Sequence, residues 1–140
     1  MGMAAVGADL SEPWVRRAVQ FLVDRQNPDG GWGEGPDSYS DPAMAGVGPS
    51  MPPLTGIVLS ALIDAGEGSS EAVVRGVGYL VDRQREDGTW SNAGYLCANV
   101  PPDTFYVLAE GARHNPTEAL GRWVRAHRRA AEAADDRDPR

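Results

Sequence analysis

The sequence lacks several features on which common kinds of function depend. It contains no lysine, and its single cysteine, Cys97, excludes both an internal disulfide and a metal site built from several thiolates. Its net charge of -7 makes it a poor partner for nucleic acid, which is a polyanion. No apolar run approaches the length of a membrane span, and residues 1–8 lack the positive charge and apolar length of a secretory signal. These absences favour a cytoplasmic protein.

The chain does contain an internal repeat. Residues 18–32 align without a gap with residues 76–90, an offset of 58 residues, and nine of the 15 aligned positions are identical, which is too many for coincidence. Both copies end in the pattern Q-x-x-D-G-x-W. The repeat residues of the pattern are Gln26, Asp29, Gly30 and Trp32 in the first copy and Gln84, Asp87, Gly88 and Trp90 in the second.

Each copy of the repeat predicts a helix followed by a tight turn. Apolar residues recur at helical spacing before each pattern, and the Asp-Gly step is typical of a turn that ends a helix. Ser11 and Pro13 suit the start of the first helix, and Ser69 or Ser70 can cap the second. A glutamine side chain can bond backbone groups freed at a helix end, and a tryptophan ring can lie over that end. The repeat therefore predicts a connector that packs successive helices.

The remaining segments predict three more helices and two loops. Residues 33–53 form a long loop rich in glycine and proline, and loops of this length are usually functional or packed against something. Residues 54–65 predict a nearly apolar, buried helix that ends at Gly66. After a second loop, the pattern predicts helices over residues 103–113 and 117–134, with a break at His114-Asn-Pro116. We expect disorder in residues 1–10, a helical repeat domain over residues 11–129 and a disordered tail over residues 130–140.

Five helices in pairs predict an all-α fold that forms part of a solenoid or toroid. The Q-x-x-D-G-x-W pattern resembles the QW motif of triterpene cyclases, and several segments are similar to the squalene–hopene cyclase branch in particular. All of these segments correspond to the C-terminal region of that family. The resemblance implies a partial α/α toroid, half of an α6/α6 barrel, with two QW repeats. The segments are residues 26–34, 38–42, 75–80, 103–106, 113–114 and 119–123.

The resemblance also implies a chemistry, the proton-initiated cyclisation of squalene or another polyprenyl chain, which is an isomerase reaction of triterpenoid biosynthesis in bacteria. Such a reaction needs an acid in a dry cavity and aromatic faces that stabilise cations. The family's acid is an aspartate in a D-x-D-D motif, which this sequence does not contain. We expect residues 135–138 (D-D-R-D) to be solvated charge in the polar tail. The resemblance therefore implies no catalytic residue here.

Four aromatic residues are the candidates for substrate contact. By resemblance, Trp32 and Tyr39 would lie near the cavity, and Phe105, followed by Tyr106, matches a cation-stabilising aromatic residue. Packing in the core is the favoured interpretation for Trp32, Phe105 and Tyr106. For Tyr39, which lies in a long loop, the two interpretations are balanced. No metal or cofactor is expected. Protein prenyltransferase β subunits share the toroid but need an Asp/Cys/His zinc set, and Cys97 has no aspartate at two-residue spacing.

Two functions follow from the sequence. In the first, the chain is the C-terminal part of a terpene cyclase that contributes cavity wall and is inactive alone. Its partner would be a second chain carrying the D-x-D-D half, or a second copy. Its substrate would be an isoprenoid lipid, reached through peripheral membrane contact. In the second, the chain is a non-catalytic relic or a binding module, because positions that are tyrosine in the family are Ala109 and Ala112 here.

Overall fold

The computed structural model describes residues 6–91, 97–100, 104–106 and 110–135 of the chain. Helices build the core, which confirms the predicted all-α class. Residues 1–5 and 136–140, where disorder was expected, lie outside the described residues. In chain order the elements are helix α1 (Pro13–Asp24), the single-turn 3-10 helices Pro36–Tyr39 and Pro42–Met44, helices α2 (Pro52–Asp64) and α3 (Glu71–Asp82), strands β1 (Cys97–Val100) and β2 (Thr104–Tyr106), and helix α4 (Gly111–Asp135).

The starts of α1 and α3 differ in how they are capped. The hydroxyl of Ser70 accepts a hydrogen bond from the backbone N–H of Val73, so Ser70 is the one of the two predicted candidates that caps α3. Helix α1 begins at Pro13, but the cap predicted at Ser11 is wrong. Ser11 donates its hydroxyl and its backbone N–H to the carboxylate of Asp9 instead.

Helix α2 is the central element of the fold. Thr55, Leu59 and Leu62 have no exposed surface, and the helix packs mainly against α4 and also against α3. At Gly56 the backbone of α4 comes so close that a Cβ would lie 2.4 Å from the carbonyl carbon of Asn115. The helix ends before Gly66, whose φ of +89° suits glycine, as predicted.

The helix predicted over residues 103–113 is wrong at residues 104–106, whereas residues 111–113 are helical as the start of α4. Thr104–Tyr106 forms a short strand that pairs antiparallel with Cys97–Val100, with Cys97 opposite Tyr106. Threonine, phenylalanine and tyrosine all favour extended backbone, and pairing with a nearby segment outweighs the weak helical spacing of so short a run. Asp103, the first residue of the predicted helix, lies outside the described residues.

The break predicted at residues 114–116 is also wrong, because α4 runs through Pro116 as one helix of 25 residues. A proline inside a helix removes one backbone hydrogen bond. Here Pro116 is fully buried and packs beside Gly56 of α2, and this burial offsets the loss. The helix continues to Asp135, beyond the start of the tail expected at Ala130. Among the described helices, none is long and apolar enough to cross a membrane.

The long loop of residues 33–53 folds back on itself. Its two ends run side by side, with hydrogen bonds of 2.9 Å from Gly35 N to Val47 O and from Met51 N to Trp32 O. At Gly33 a Cβ would lie 1.8 Å from the carbonyl oxygen of Pro49, so only glycine fits. The loop is therefore packed rather than free.

Candidate functional site

The two Q-x-x-D-G-x-W motifs form the same backbone turn. We call residues 26–32 turn 1 and residues 84–90 turn 2. In turn 1, Asn27 N donates to Gly31 O and Gly30 N donates to Asn27 O, both at 2.9 Å. In turn 2, the equivalent bonds join Arg85 N to Thr89 O at 2.8 Å and Gly88 N to Arg85 O at 2.9 Å.

The aspartate and glycine of the motif shape each turn. Gly30 has a φ of +87° and Gly88 a φ of +79°, a backbone region that disfavours side chains with a Cβ. The carboxylates of Asp29 and Asp87 each accept a hydrogen bond from the backbone N–H two residues ahead, at 3.1 and 3.0 Å. Both turns therefore follow from local sequence.

The tryptophans connect each turn to the helix before it. Trp32 Nε1 donates to the carbonyl oxygen of Leu22 at 2.6 Å, and Trp90 Nε1 donates to that of Leu80 at 2.7 Å. Each acceptor lies ten residues upstream, in the last turn of α1 or α3. The two side chains are 2% and 4% exposed. Each ring thus covers a helix end and extends the core.

The glutamines differ between the two turns. Both donate to the carbonyl oxygen of the motif glycine four residues ahead, Gln26 at 2.9 Å and Gln84 at 3.1 Å. Gln26 also donates to the carbonyl oxygen of Ala72 in α3, at 2.8 Å. Gln26 therefore joins turn 1 to the next helix, whereas Gln84 bonds only within turn 2 among the described residues.

Helix α3 contacts turn 1 through a second group, the guanidinium of Arg75. Its Nη2 atom donates to the carbonyl oxygens of Asn27 at 3.1 Å and Pro28 at 3.0 Å. The backbone of α3 also lies against Gly30, where a Cβ would be 2.6 Å from the carbonyl oxygen of Arg75. Turn 1 is thus in direct backbone contact with α3.

Ser50 joins turn 1 to the long loop. Its hydroxyl donates to Asp29 Oδ1 at 2.6 Å and accepts from Asn27 Nδ2 at 2.9 Å. Its carbonyl oxygen accepts the phenolic proton of Tyr79 at 3.0 Å. Burial, together with the negative charge of Asp29, raises the pKa of Tyr79 above its ordinary value of 10.0, so the phenol remains a donor at neutral pH.

Turn 2 has no comparable neighbours among the described residues. Residues 81–88 are all exposed, whereas turn 1 is mostly buried or half-buried. A Cβ on Gly88 would meet nothing closer than Gln84 Nε2, at 3.9 Å. The same local turn is therefore enclosed in one place and open in the other.

The structure places the four candidate substrate residues in different surroundings. Trp32 lies in the core, and its 2% exposure favours its packing role. Tyr39 closes the first 3-10 turn of the long loop and is 45% exposed. Phe105 and Tyr106 belong to strand β2, and their side chains are outside the described part. Their contact with substrate stays a prediction.

The described residues line at least two cavities, and neither lining includes Trp32 or Tyr39. One, of about 180 Å³, lies between the end of α2 and the second half of α4 and includes Ser69 and His127 in its lining. The other is an open groove on the first turns of α4, lined by Arg113, His114, Thr117 and Glu118. Within the described ranges, no group of three or more His, Cys, Asp or Glu residues could hold a metal ion.

Sequence reasoning missed the residues that surround turn 1, namely Ser50, Arg75 and Tyr79. Ser50 has no signal in the sequence, because its partners lie more than 20 residues away. Arg75 and Tyr79 do have a signal in the sequence. In the repeat alignment Arg75 matches Arg17 and Tyr79 matches Phe21, so both belong to a face that the two repeat helices share.

Comparison with known proteins gives a consistent result. Residues 1–125 match the family described as the squalene–hopene cyclase C-terminal domain. The chain is 48% identical over 161 aligned positions to the squalene–hopene cyclase of Alicyclobacillus acidocaldarius, covering 80% of this chain and 25% of that protein. It is 39% identical over 121 positions to a probable squalene–hopene cyclase of Sinorhizobium fredii, covering 85% of this chain and 18% of the relative.

The similarity extends to a relative that is named for a different product. The chain is 30% identical over 137 positions to a dammaradiene synthase of Dryopteris crassirhizoma, covering 88% of this chain and 20% of that protein. In all three comparisons most of this chain is matched. It spans a quarter or less of the length of each relative.

Proposed function

The chain belongs to the squalene–hopene cyclase family, whose C-terminal domain it matches, and on this basis we propose that it forms part of the wall of a polyprenyl-cyclising cavity. The relatives named as squalene–hopene cyclases support an isoprenoid lipid as the substrate class. Cyclisation proceeds through carbocations, which aromatic faces on a rigid wall stabilise. A wall segment therefore needs aromatic rings on firmly anchored backbone.

The observation that carries the proposal is the hydrogen-bond network between turn 1 and the long loop. Asn27 donates to the carbonyl oxygen of Gly48 and to the hydroxyl of Ser50, both at 2.9 Å, so the end of the loop is fixed. The Gly35–Val47 bond then anchors the segment that carries Tyr39. An exposed aromatic ring on an anchored loop is suited to face a cavity completed by another part of the fold.

We further propose that the chain does not cyclise its substrate alone. Protonating an alkene needs a strong carboxylic acid, which the family carries in a D-x-D-D motif, and this sequence contains no such motif. The acid would come from a second chain. Peripheral membrane contact belongs to the same proposal, because an isoprenoid substrate partitions into the bilayer. Co-sedimentation with phospholipid vesicles that contain squalene measures that contact.

Reconstitution with the acid-bearing part tests the proposal. The chain is mixed with the upstream portion of the Alicyclobacillus acidocaldarius relative, given squalene or shorter polyprenyl substrates, and the extracts are analysed by gas chromatography and mass spectrometry. We expect no cyclised product from either part alone and product from the mixture. Product from this chain alone would contradict the inactivity that we propose.

A comparison of variants tests the role of Tyr39 in the mixture. We expect Tyr39→Ala to lower product formation roughly tenfold, the effect of losing about 1.4 kcal/mol of cation stabilisation, and Tyr39→Phe to keep most of it. Val47→Ala, a half-exposed position on the same loop, is the matched control and should match wild type. Equal product yields from Tyr39→Ala and Val47→Ala would show that Tyr39 does not contribute to the cavity wall.

The second candidate function is a non-catalytic relic or binding module. It is favoured by Ala109 and Ala112 at positions that are tyrosine in the family. The same reconstitution decides between the two candidates. A mixture whose parts bind each other but form no product would support the module and contradict the cavity wall.

A further inference from the structure

Residues 44–47 of the long loop form a tight turn of a defined type. The backbone N–H of Val47 donates to the carbonyl oxygen of Met44 at 3.0 Å, which closes the turn. Ala45 has a φ of -58° and a ψ of 124°, and Gly46 has a φ of +72°, and these angles are those of a type II turn. We call these four residues the Gly46 turn. The turn needs glycine at its third position, because the positive φ disfavours a side chain.

A carboxylate from the other end of the loop bonds to this turn. The internal hydrogen bond of a type II turn joins its first and fourth residues, so the N–H of its third residue needs an acceptor from outside. Glu34 supplies it, because its Oε1 atom accepts from Gly46 N at 3.1 Å. Glu34 lies beside the turn because the two ends of the loop run close together. A Cβ on Gly48 would lie only 2.7 Å from the carbonyl carbon of Glu34.

The negative charge of Glu34 also selects the type of turn. Rotation of the peptide between Ala45 and Gly46 converts a type II turn into a type I turn and exchanges the positions of its N–H and C=O groups. After such a rotation the carbonyl oxygen of Ala45 would face the carboxylate, and the two oxygens would repel each other. Glycine by itself permits both forms. Glu34 therefore fixes a peptide that the turn sequence leaves free to rotate.

Arg25, at the end of α1, covers the same turn without selecting its conformation. A Cβ on Gly46 would lie 2.9 Å from Arg25 Cγ, so the stem of the arginine packs on the turn. Its guanidinium lies over the ring of Phe21, 5.4 Å from the ring centre. Its hydrogen bond to the carbonyl oxygen of Ala43 is long, at 3.4 Å, and therefore weak. The specific contact with the turn is the one that Glu34 makes.

We propose that Glu34 is a positioning residue, which keeps the Gly46 turn closed and thereby holds Tyr39 in place on the loop. The inference rests on the proposed function, in which the ring of Tyr39 forms part of the cavity wall. The bond from Gly46 to Glu34 and the bond from Gly35 to Val47 close one short segment, and Tyr39 lies within it. Opening the turn releases one end of that segment, so the ring loses its fixed position while the core keeps its packing.

Limited proteolysis tests this positioning without any cyclisation. Chymotrypsin cleaves after aromatic residues, and mass spectrometry gives the cleavage rate after Tyr39 relative to the rate after Phe21 in α1. We expect Glu34→Ala to raise this ratio about tenfold, because losing a hydrogen bond to a charged group favours local opening of the loop. Gly46→Ala should raise it similarly, and Glu34→Gln, which keeps a carbonyl acceptor, should restore most of the protection. Glu12→Ala, which removes an exposed carboxylate that makes no cap bond, is the matched control and should behave as wild type.

Reconstitution with the acid-bearing part connects the position of Tyr39 to the reaction. We expect Glu34→Ala to lower product formation in the mixture roughly three- to tenfold, and Glu34→Gln to restore most of it. In the Tyr39→Ala background, Glu34→Ala should cause no further loss, because a residue that acts through Tyr39 then has nothing to position. A merely structural role of Glu34 would lower the yield in both backgrounds.

The two measurements distinguish the possible outcomes. A Glu34→Ala protein with the cleavage ratio of the Glu12→Ala control overturns the proposal. Faster cleavage after both Tyr39 and Phe21 at a constant ratio also overturns it, because it assigns the effect to global unfolding, which urea unfolding measures independently. An equal loss of product in the wild-type and Tyr39→Ala backgrounds overturns it as well. A raised ratio with no product from any mixture, wild type included, supports the role of Glu34 in holding the loop and contradicts only the proposed function.

Discussion

Turn 1 and turn 2 are the same local structure in two different environments. Their backbone hydrogen bonds, glycine conformations and tryptophan contacts match, position by position, at the repeat offset. Turn 1 is enclosed by α3 and by the long loop, whereas residues 84–88 of turn 2 are exposed. The motif therefore needs no neighbour to form its turn, and the neighbour determines how much of the turn is buried.

The difference also separates two roles of the motif residues. The tryptophan indoles and the bonds from the aspartates to the turn backbone act within the repeat unit, because those partners lie at most ten residues away in both copies. In turn 1, Asp29 also accepts a hydrogen bond from Ser50, and Gly30 lies against the backbone of α3. Glutamine acts between units, since only Gln26 reaches the next helix. Substitutions of the two tryptophans should therefore have equal effects. Substitutions of the matched glycines and glutamines should have unequal effects, because only Gly30 and Gln26 also contact α3.

Replacing the motif tryptophan should have the largest effect on stability, and this effect should be the same in both turns. Trp32→Ala and Trp90→Ala each remove a buried ring and should each lower the free energy of unfolding by roughly 3–5 kcal/mol. Urea unfolding followed by circular dichroism measures the change. The control is Trp14→Ala, whose side chain is 47% exposed and whose loss should cost less than about 1 kcal/mol. A Trp90→Ala protein that unfolds as the wild type does would show that turn 2 does not belong to the core.

Replacing the motif glycine should have the next largest effect, and the loss of stability should differ between the two turns. Gly88→Ala should cost about 1–2 kcal/mol, because a side chain disfavours the positive φ. Gly30→Ala adds a contact with the carbonyl oxygen of Arg75 and should cost about 1–3 kcal/mol more. The same unfolding measurement compares them. Equal losses would mean that α3 moves away from turn 1 at little cost.

Replacing the motif glutamines should also destabilise turn 1 more than turn 2, by a smaller amount. Gln26→Ala loses two hydrogen bonds in a half-buried position and should cost roughly 1–3 kcal/mol. Gln84→Ala loses one exposed bond and should cost about 0.5 kcal/mol or less. Gln20→Ala, which removes an exposed bond to Asp24 on α1, is the control and should resemble Gln84→Ala. A Gln26→Ala effect as small as that of the control would contradict the contact with α3.

The smallest effect concerns the pH dependence of turn 2. Hydrogen bonds from the hydroxyl and the backbone N–H of Thr89 lower the pKa of Asp87 below its ordinary value of 3.8. A depressed pKa stabilises the fold above pH 3.8, and this contribution disappears as the pH falls through the folded-state pKa. Thr89→Ala removes the hydroxyl bond of 2.6 Å, so the pKa of Asp87 should rise towards 3.8. A carboxyl titration by nuclear magnetic resonance measures it, and an unchanged pKa would show that the hydroxyl does not bond Asp87 in solution.

The sequence by itself was enough to predict the repeat unit. The end of α2 before Gly66, the cap at Ser70 and the start of α1 at Pro13 all depend on interactions within a few residues. The family likeness was also readable, because its motifs are local strings of residues. Local chemistry of this kind is the same wherever the segment lies in the fold.

Tertiary structure decided the features that depend on distant partners. Strand β2 forms because β1 pairs with it, and α4 continues through Pro116 because α2 packs against it at Gly56. The enclosure of turn 1 depends on Ser50, Arg75 and Tyr79, which lie 20 or more residues from their bonding partners there. Propensity differs between conformations by a fraction of a kcal/mol per residue, whereas packing contributes several kcal/mol per buried side chain. Where the two disagree, packing therefore prevails, and only the assembled structure reveals it.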